Sequence, residues 1–232
     1  MEKIIQYIDD KECVIYSSGE PECLLIQPIE EHMAASLDRQ TEMIRSGTDH
    51  PFLFLGFRVG EWNAELSPWE APPVFGSVPF GSGAGKTLRF LIDRLIPSVA
   101  GEYLPEGDIP VILGGYSLAA FFALWSAYQT NLFAAIAAVS PSVWFPGWIG
   151  FAETHAPLSD NIYLSLGDKE ERGKNKVMAA VGDCIRTQQK LLTAEGITNT
   201  LEWNKGNHFH EPDVRCAKGF IWCVNRVLSV SG

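Results

Sequence analysis

The chain has 232 residues, of which 46% are hydrophobic and 20% charged, and its formal net charge at pH 7 is −10. This is the composition of an ordinary globular protein, long enough to bury one sizeable core. The acidic balance, without a cluster of Lys and Arg, argues against a nucleic-acid-binding protein.

Residues 1–6 lack the basic stretch and apolar core of a secretory signal, and no apolar run approaches the length of a membrane span. The five cysteines are an odd number. Cys216 and Cys223 lie on one predicted helix, too far apart along its axis for a disulfide, whereas Cys13 and Cys23 could meet across a hairpin. We expect free thiols, a cytoplasmic protein and no membrane partner.

The first sixty residues predict buried strands and one helix. Residues 1–20 predict one or two short strands, most clearly at residues 13–16. The continuous apolar runs at residues 23–26 and 51–57 are typical of buried strands. A helix is predicted over about residues 33–44, ending near Gly47.

Residues 60–85 form a different kind of segment, rich in Pro, Gly and Trp and without regular periodicity. Long loops in compact domains are usually functional or disordered. Trp62 and Trp69 argue against disorder, so we predict a loop that forms one wall of a pocket.

Residues 81–87, which read Gly-Ser-Gly-Ala-Gly-Lys-Thr, resemble a phosphate loop. The pattern requires glycine where Phe80 stands, and Val78 and Pro79 do not form the buried strand that should precede it. A glycine-rich turn into a helix is the better interpretation than a nucleotide site.

The remaining chain alternates strands and helices. Leu88, Leu91, Leu95 and Ile96 recur at helical spacing, which indicates an amphipathic helix. Strands are predicted at residues 111–113, 133–139, 162–166 and 198–203, and helices from 118, over 177–191 and over 214–228. This alternation predicts an α/β fold, with a mostly parallel sheet covered on both faces, in one domain spanning residues 1–232.

The sharpest motif is Gly115-Tyr116-Ser117-Leu118-Ala119, between a predicted strand and a predicted helix. It fits the nucleophile elbow Gly-x-Ser-x-Gly, with alanine as the last residue. The turn lifts the serine hydroxyl to the N-terminus of a helix, where free N–H groups and the helix dipole can stabilise an oxyanion. Without partners, the same pentapeptide is a plain strand–helix connection.

Two further groups follow the ends of later strands. Asp168 and Glu170 come after the strand at 162–166, and His208 follows the last strand. Because ligands bind at the carboxyl ends of parallel strands, Ser117, an acid and His208 should meet there. The histidine can accept and return the serine proton, and a carboxylate can fix the imidazole. His210 competes for the histidine role, but we expect it to face solvent.

The chain resembles the Putative esterase family of α/β-hydrolases, which includes enterochelin-type esterases, feruloyl esterases and S-formylglutathione hydrolases. The resemblance covers roughly residues 50 to 225. It rests on five segments: Phe90-Leu91 with Leu95-Ile96-Pro97, the elbow, Ser140-Pro141-Ser142-Val143-Trp144, Gly167-Asp168-Lys169-Glu170 and Gly206-Asn207-His208-Phe209.

The resemblance implies an α/β-hydrolase fold and a serine esterase in which Ser117 is the nucleophile and His208 the base. The family often places its acid three residues past the strand-end glycine, which corresponds to Glu170. We predict that Asp168 binds backbone N–H groups in its own turn instead, and that Glu171 points to solvent.

The second elbow glycine is replaced by Ala119, and no His-Gly pair follows the early strand at 23–26, which departs from the family pattern. The Leu118 N–H is the predicted first oxyanion donor. The Ile29 N–H is the predicted second, since Pro28 has no N–H. Four aromatic residues are predicted to line the substrate pocket, with the loop at 60–85 near the active site: Tyr116, Trp62, Trp69 and Trp144.

The predicted function is therefore hydrolysis of a small-molecule carboxylic ester through an acyl-enzyme. The sequence has no Cys-x-x-Cys or His-Glu-x-x-His pattern, so neither a metal nor a cofactor is expected. Three alternatives stay open: a thioesterase or acyltransferase with the same triad, a catalytically inactive binding module, and a nucleotide-binding protein built on residues 81–87. The filled triad positions argue against the inactive module.

Overall fold

A computed structural model describes residues 1–17, 19–74 and 76–229. Eight strands form one sheet in the order β1-β2-β4-β3-β5-β6-β7-β8. The strands are β1 (Glu2–Ile8), β2 (Lys11–Ser17), β3 (Cys23–Ile29), β4 (Phe52–Arg58), β5 (Val111–Tyr116), β6 (Phe133–Val139), β7 (Asn161–Gly167) and β8 (Thr198–Asn204). The β1–β2 and β2–β4 pairs are antiparallel and every other pair is parallel, which confirms the predicted mostly parallel sheet.

Along the chain, most helices occur between successive parallel strands. They are α1 (Ala34–Gly47), α2 (Trp62–Glu65), α3 (Ala84–Phe90), α4 (Ile96–Tyr103), α5 (Leu118–Ser126), α6 (Trp148–Ala152), α7 (Lys176–Ala179), α8 (Val181–Ala194) and α9 (Pro212–Leu228). A π-helical turn, Leu91–Leu95, joins α3 to α4, and Glu31–Met33 and Glu170–Arg172 each form a single 3₁₀ turn.

Helices cover both faces of the sheet, as expected from the apolar character of its central strands. Leu37 of α1 and Phe220 of α9 belong to the core on one face. The helical segments that cover the other face contribute Leu95, Phe121, Trp148 and Ile185 to its core. Every residue of α5 is buried, which explains its lack of a polar side.

Three predicted elements differ from the structure. The helix predicted over 177–191 is divided at Ala180, between α7 and α8. The predicted loop at 60–85 contains the short helix α2 and a bridge between Ala71 and Phe80. The helix predicted from Leu88 begins at Ala84.

The glycine-rich segment at 81–87 uses its amides within the fold. The Gly81 N–H donates to Asn63 O at 3.1 Å, and the Gly83 N–H donates to Ala64 O at 2.8 Å. These amides are not free to bind a phosphate, and the segment leads into α3 from a loop. The structure therefore agrees with a glycine-rich turn.

All five cysteines are free thiols, as expected. Cys13 and Cys23 cannot meet across a hairpin because β4 lies between their strands in the sheet. Among the described helices, none has both the length and the apolar character needed to cross a bilayer. The cytoplasmic location stays a prediction.

The close packing of α9 on the sheet depends on Gly219. A Cβ atom added there would lie 3.0 Å from Val139 Cγ2 and 3.1 Å from Tyr163 Cδ1. Glycine inside a helix costs about 1 kcal/mol relative to alanine, so this position trades helix stability for a close approach. Arg215 lies one turn earlier on the same helix and is thereby placed against the carboxyl ends of the central strands.

Candidate active site

Ser117 occupies a strained turn between β5 and α5. Its φ of 60° and ψ of −119° lie in a region that residues with a side chain rarely adopt, at a typical cost of about 1–3 kcal/mol. Backbone hydrogen bonds hold the turn: the Ser117 N–H donates to Val139 O at 3.1 Å, and the Ser117 carbonyl accepts from the N–H groups of Phe121 at 3.0 Å and Ser142 at 3.2 Å. The hydroxyl is therefore fixed at the start of α5.

Gly115 allows the elbow to close. A Cβ atom at this position would lie 2.7 Å from Ala119 Cβ and 2.8 Å from Ala119 C. Real Cβ atoms essentially never approach so closely, so small residues on both sides of Ser117 are a steric requirement. Alanine satisfies it at position 119 because its single methyl group fills the space opposite Gly115.

We predict that Gly115→Ala destabilises the protein by about 1–3 kcal/mol, because the added methyl group overpacks a closed turn. Gly150→Ala on α6 is the control, since nothing lies within 4 Å of its added Cβ and alanine is favoured in helices. Thermal denaturation measures both variants. Equal melting temperatures for Gly115→Ala and the wild type would contradict the close contact.

Ser117, His208 and Glu170 form a continuous chain of close polar contacts. His208 Nε2 lies 3.0 Å from Ser117 Oγ, and His208 Nδ1 lies 2.6 Å from Glu170 Oε2. The His208 side chain is 25% exposed and the Glu170 side chain 4%. The imidazole is therefore open to the site on one side, and the carboxylate behind it is enclosed.

Burial is the largest single influence on the pKa of Glu170 and raises it. The hydrogen bond and charge of His208 and the hydrogen bonds from Gly167 and Ser140 together lower the pKa by more than burial raises it. The net effect holds the pKa of Glu170 below its ordinary value. Glu170 is thus ionised at neutral pH. Its contribution to stability is present above the pKa of the unfolded chain and is lost as pH falls through the lower folded value.

The neighbouring acids lie elsewhere. Asp168 Oδ1 accepts from the Gly206 N–H at 2.8 Å, so it ties the loop after β7 to the loop that carries His208, rather than closing its own turn. Glu171 does not point to solvent as predicted. It pairs with Arg186 of α8 at 2.7 Å, because α8 packs against this loop.

His210 is exposed, as expected, and its side chain lies 3.4 Å from Glu211. In the residues that the structure describes, no group of three or more His, Cys, Asp or Glu side chains could hold a metal ion.

The hydrogen bonds of β3 indicate which of its backbone amides could serve as an oxyanion donor. The Leu118 N–H is the first amide of α5, one of those that a helix leaves without an internal partner. The Ile29 carbonyl accepts from the Val59 N–H at 3.0 Å, beyond the end of β4. A strand residue directs its N–H and C=O to the same neighbouring strand, so the Ile29 amide faces β4 and not β5. This arrangement does not favour Ile29 as a donor.

The other side of β3 faces the elbow strand. The Leu24 N–H donates to Pro110 O at 3.0 Å, directly before β5. Alternation along the strand then directs Pro28, which has no N–H, and the extended residue Glu30 toward the β5 side. The Glu30 amide is therefore the better placed candidate for a second donor.

A model of the family described as Putative esterase matches residues 33–211 of the sequence, which is well over half of the chain. The chain belongs to this esterase family. The protein is accordingly a carboxylic ester hydrolase, and its sheet and helices are those of the α/β-hydrolase fold. Among curated protein sequences, none matches the chain.

Solved structures share the fold of this esterase. An IroE-like serine hydrolase from Shewanella oneidensis is 16% identical with a TM-score of 0.77, over 95% of this chain and 79% of its own. The siderophore hydrolase EstA from Aspergillus nidulans is 15% identical with a TM-score of 0.71, over 97% and 93%. The enterobactin esterase FES from Shigella flexneri is 14% identical with a TM-score of 0.71, over 98% of this chain but 60% of its own.

The aromatic residues predicted for the substrate pocket of the esterase have different surroundings. Trp62, Trp69 and Trp144 are half-buried. Trp69 donates its Nε1–H to Pro146 O at 2.8 Å, and the turn before Trp144 is tied to the elbow through the Ser142 N–H. Their role in binding substrate stays a prediction.

Tyr116 is 7% exposed and belongs to the core beneath α9. Its hydroxyl donates to the backbone oxygen of His208 at 2.6 Å. Burial, and then the charge of Glu170, raise the pKa of Tyr116, so the phenol keeps its proton and remains a donor. In the esterase this side chain therefore binds the backbone of His208 and not its imidazole.

Two contacts of Glu170 were not found by sequence reasoning. Ser140 donates its hydroxyl to Glu170 Oε1 at 2.8 Å, and Arg215 donates to the same oxygen at 3.0 Å. Arg215 is buried whereas Arg226 on the same helix is exposed. The two arginines differ in their burial against the rest of the protein, and a single sequence does not show that difference.

Proposed function

We propose that the protein hydrolyses a carboxylic ester through an acyl-enzyme formed on Ser117. The observation that carries the proposal is the unbroken chain from Ser117 Oγ to His208 Nε2 at 3.0 Å and from His208 Nδ1 to Glu170 Oε2 at 2.6 Å. These contacts have the order and the lengths that general-base activation of a serine requires. The ionised Glu170 favours the tautomer in which Nδ1 carries the proton and Nε2 can accept one.

In the first half of the reaction, Ser117 Oγ attacks the ester carbonyl carbon and its proton passes to His208 Nε2. The imidazolium is stabilised by Glu170. The tetrahedral intermediate collapses, the carbon–oxygen bond to the alcohol breaks, and His208 returns the proton to the departing alcohol. In the second half, His208 Nε2 removes a proton from water while the water oxygen attacks the acyl carbon. The new tetrahedral intermediate collapses, the bond between the acyl carbon and Ser117 Oγ breaks, His208 returns the proton to Ser117 Oγ, and the carboxylic acid leaves.

The negative charge on the tetrahedral intermediate requires fixed donors. In the proposed mechanism the Leu118 N–H at the start of α5 supplies one, and the Glu30 N–H supplies the other. The dipole of α5 adds to the first. Loss of a single oxyanion donor typically costs about 10²- to 10³-fold in kcat, so this part of the site carries a large share of the rate.

The substrate panel follows from the relatives. Two of the structural neighbours named above are a siderophore hydrolase and an enterobactin esterase, and a further neighbour is a ferulic acid esterase. Aryl esters, feruloyl esters and catecholate siderophore esters should be compared with thioesters of the same acyl groups. Faster turnover of thioesters, or acyl transfer to an added alcohol in preference to water, would favour the thioesterase or acyltransferase alternative.

A fluorophosphonate is expected to label the folded wild type on Ser117, since only an activated serine reacts readily with it. Mass spectrometry of the digested protein locates the adduct. Ser117→Ala should abolish labelling, and Ser46→Ala, on the exposed end of α1, should leave it intact. An adduct on another serine, or none on folded wild type, would reject the nucleophile and with it the mechanism.

A further inference from the structure

Arg215 is a buried cation whose hydrogen-bonding capacity is largely used. It is 2% exposed, and burying a charge is costly unless it is well paired. Its two terminal nitrogens donate to Glu170 Oε1 at 3.0 Å, Tyr116 Oη at 3.1 Å, Ser140 Oγ at 3.4 Å, Lys205 O at 3.0 Å and Asn207 O at 3.0 Å. Such a set of partners indicates a specific role.

Four of these partners lie on the three segments that carry the members of the triad, and the fifth, Ser140, follows β6. Tyr116 directly precedes Ser117, and Glu170 is the acid itself. The carbonyls of Lys205 and Asn207 belong to the loop that ends at His208. The Tyr116 hydroxyl, which accepts from Arg215, donates to His208 O at 2.6 Å. One side chain on α9 therefore contacts three separate parts of the site.

We propose that Arg215 is a positioning residue that holds Glu170 and the His208 loop in register with the nucleophile, and that its charge sets the lower pH limit of activity. The proposal rests on the proposed function. The planar guanidinium suits this task because it can bind a carboxylate with one nitrogen and two carbonyls with the other. A lysine ammonium has no such fork.

The positive charge of Arg215 matters because the Glu170 carboxylate contacts both Arg215 and His208. Its Oε2 faces His208 and its Oε1 faces Arg215. When His208 takes up a proton, the new imidazolium and Arg215 are both attracted to one carboxylate and repel each other. Removing the positive charge of Arg215 should therefore favour the protonated, inactive imidazole.

Several charged or titratable groups lie around the pair formed by Glu170 and His208. Tyr116 faces the pair from β5 and Arg215 from α9, and Asp168 lies two residues before Glu170 on the same loop, bound to the Gly206 N–H. His210 follows in the chain but pairs with Glu211. Among the described residues, Arg215 and, when it is protonated, His208 are the cationic groups that pair with this carboxylate.

The first test is the pH profile of kcat/KM for Arg215→Met on an aryl ester. The acid limb should move to higher pH by about one unit, and kcat should fall about 10- to 100-fold. Arg39→Met is the matched control. It removes the same charge from a 58% exposed arginine that pairs with Asp213 near the start of α9, and its profile should coincide with that of the wild type.

If Arg215→Met does not fold, a second pair of variants tests the proposal. Arg215→Lys keeps the charge, so its acid limb should stay near that of the wild type while kcat falls about tenfold through the lost carbonyl contacts. Tyr116→Phe removes only the hydroxyl that links Arg215 to His208 O and should lower kcat about 3- to 10-fold. Circular dichroism monitors the fold of each variant.

The outcomes separate this proposal from the proposed function. A wild type that hydrolyses no ester and takes no fluorophosphonate rejects the function, and this inference with it. An active wild type whose pH profile is unchanged in Arg215→Met, or shifted equally in Arg215→Lys, rejects the role of Arg215 alone. If Arg215→Met is unfolded, unchanged kcat in both Arg215→Lys and Tyr116→Phe rejects it.

Discussion

Ser117→Ala and His208→Ala are each expected to lower kcat by about 10⁴- to 10⁶-fold, and the double variant is expected to be little worse than either. The two side chains are 3.0 Å apart, and in the proposed mechanism they act in one proton transfer. Removing the nucleophile leaves the base without a proton to accept, and removing the base leaves the hydroxyl a poor nucleophile. The losses therefore overlap instead of multiplying.

His210→Ala is the matched control for the histidine. Its side chain is exposed and lies next to Glu211, so its loss should leave kcat within about tenfold of the wild type. The variants are compared by kcat/KM on one aryl ester, with circular dichroism to show that each is folded. Losses that multiply in the double variant would show that Ser117 and His208 act independently, contrary to the mechanism.

Glu170→Gln is expected to keep the fold and to lower kcat by about 10³- to 10⁴-fold, as when the acid of such a triad is neutralised. The amide has nearly the same shape as the carboxylate but carries no charge to stabilise the imidazolium. It also no longer fixes the imidazole tautomer, because its NH₂ group can face His208 Nδ1. Steady-state kinetics at the pH optimum measures the effect.

Asp168→Asn is the comparison, because both acids follow β7. Asp168 accepts from the Gly206 N–H at 2.8 Å, and asparagine keeps an oxygen that can accept the same bond. Stability should fall by at most about 1 kcal/mol and kcat should stay within tenfold. The reverse pattern, an inactive Asp168→Asn and an active Glu170→Gln, would identify Asp168 as the acid.

Much of the fold could be predicted because its signals are local. The apolar runs at residues 23–26 and 51–57 indicated buried strands, and helical spacing from Leu88 indicated a covering helix. The elbow motif also depends on adjacent residues. The motif therefore predicts Ser117. The positions just beyond strand ends predict His208 and leave Asp168 and Glu170 as candidate acids, and the resemblance to the esterase family implies Glu170.

The parts that escaped prediction depend on contacts between distant segments. The direction of the Ile29 amide follows from the position of β4 beside β3, which chain order does not reveal. Glu171 pairs with Arg186 because α8 packs beside the loop. Arg215 reaches Glu170 because α9 lies close to the sheet at Gly219. Each depends on which elements become neighbours, and a single sequence does not encode that in any short motif.

The three residues of the proposed triad follow β5, β7 and β8, with β6 inserted between the first two. No two of them are near neighbours along the chain, so the site does not exist until four parallel strands have paired in register. Such non-local pairing is slow compared with the formation of helices. During refolding, helical circular dichroism should therefore recover before reactivity toward the fluorophosphonate, which reports the completed sheet.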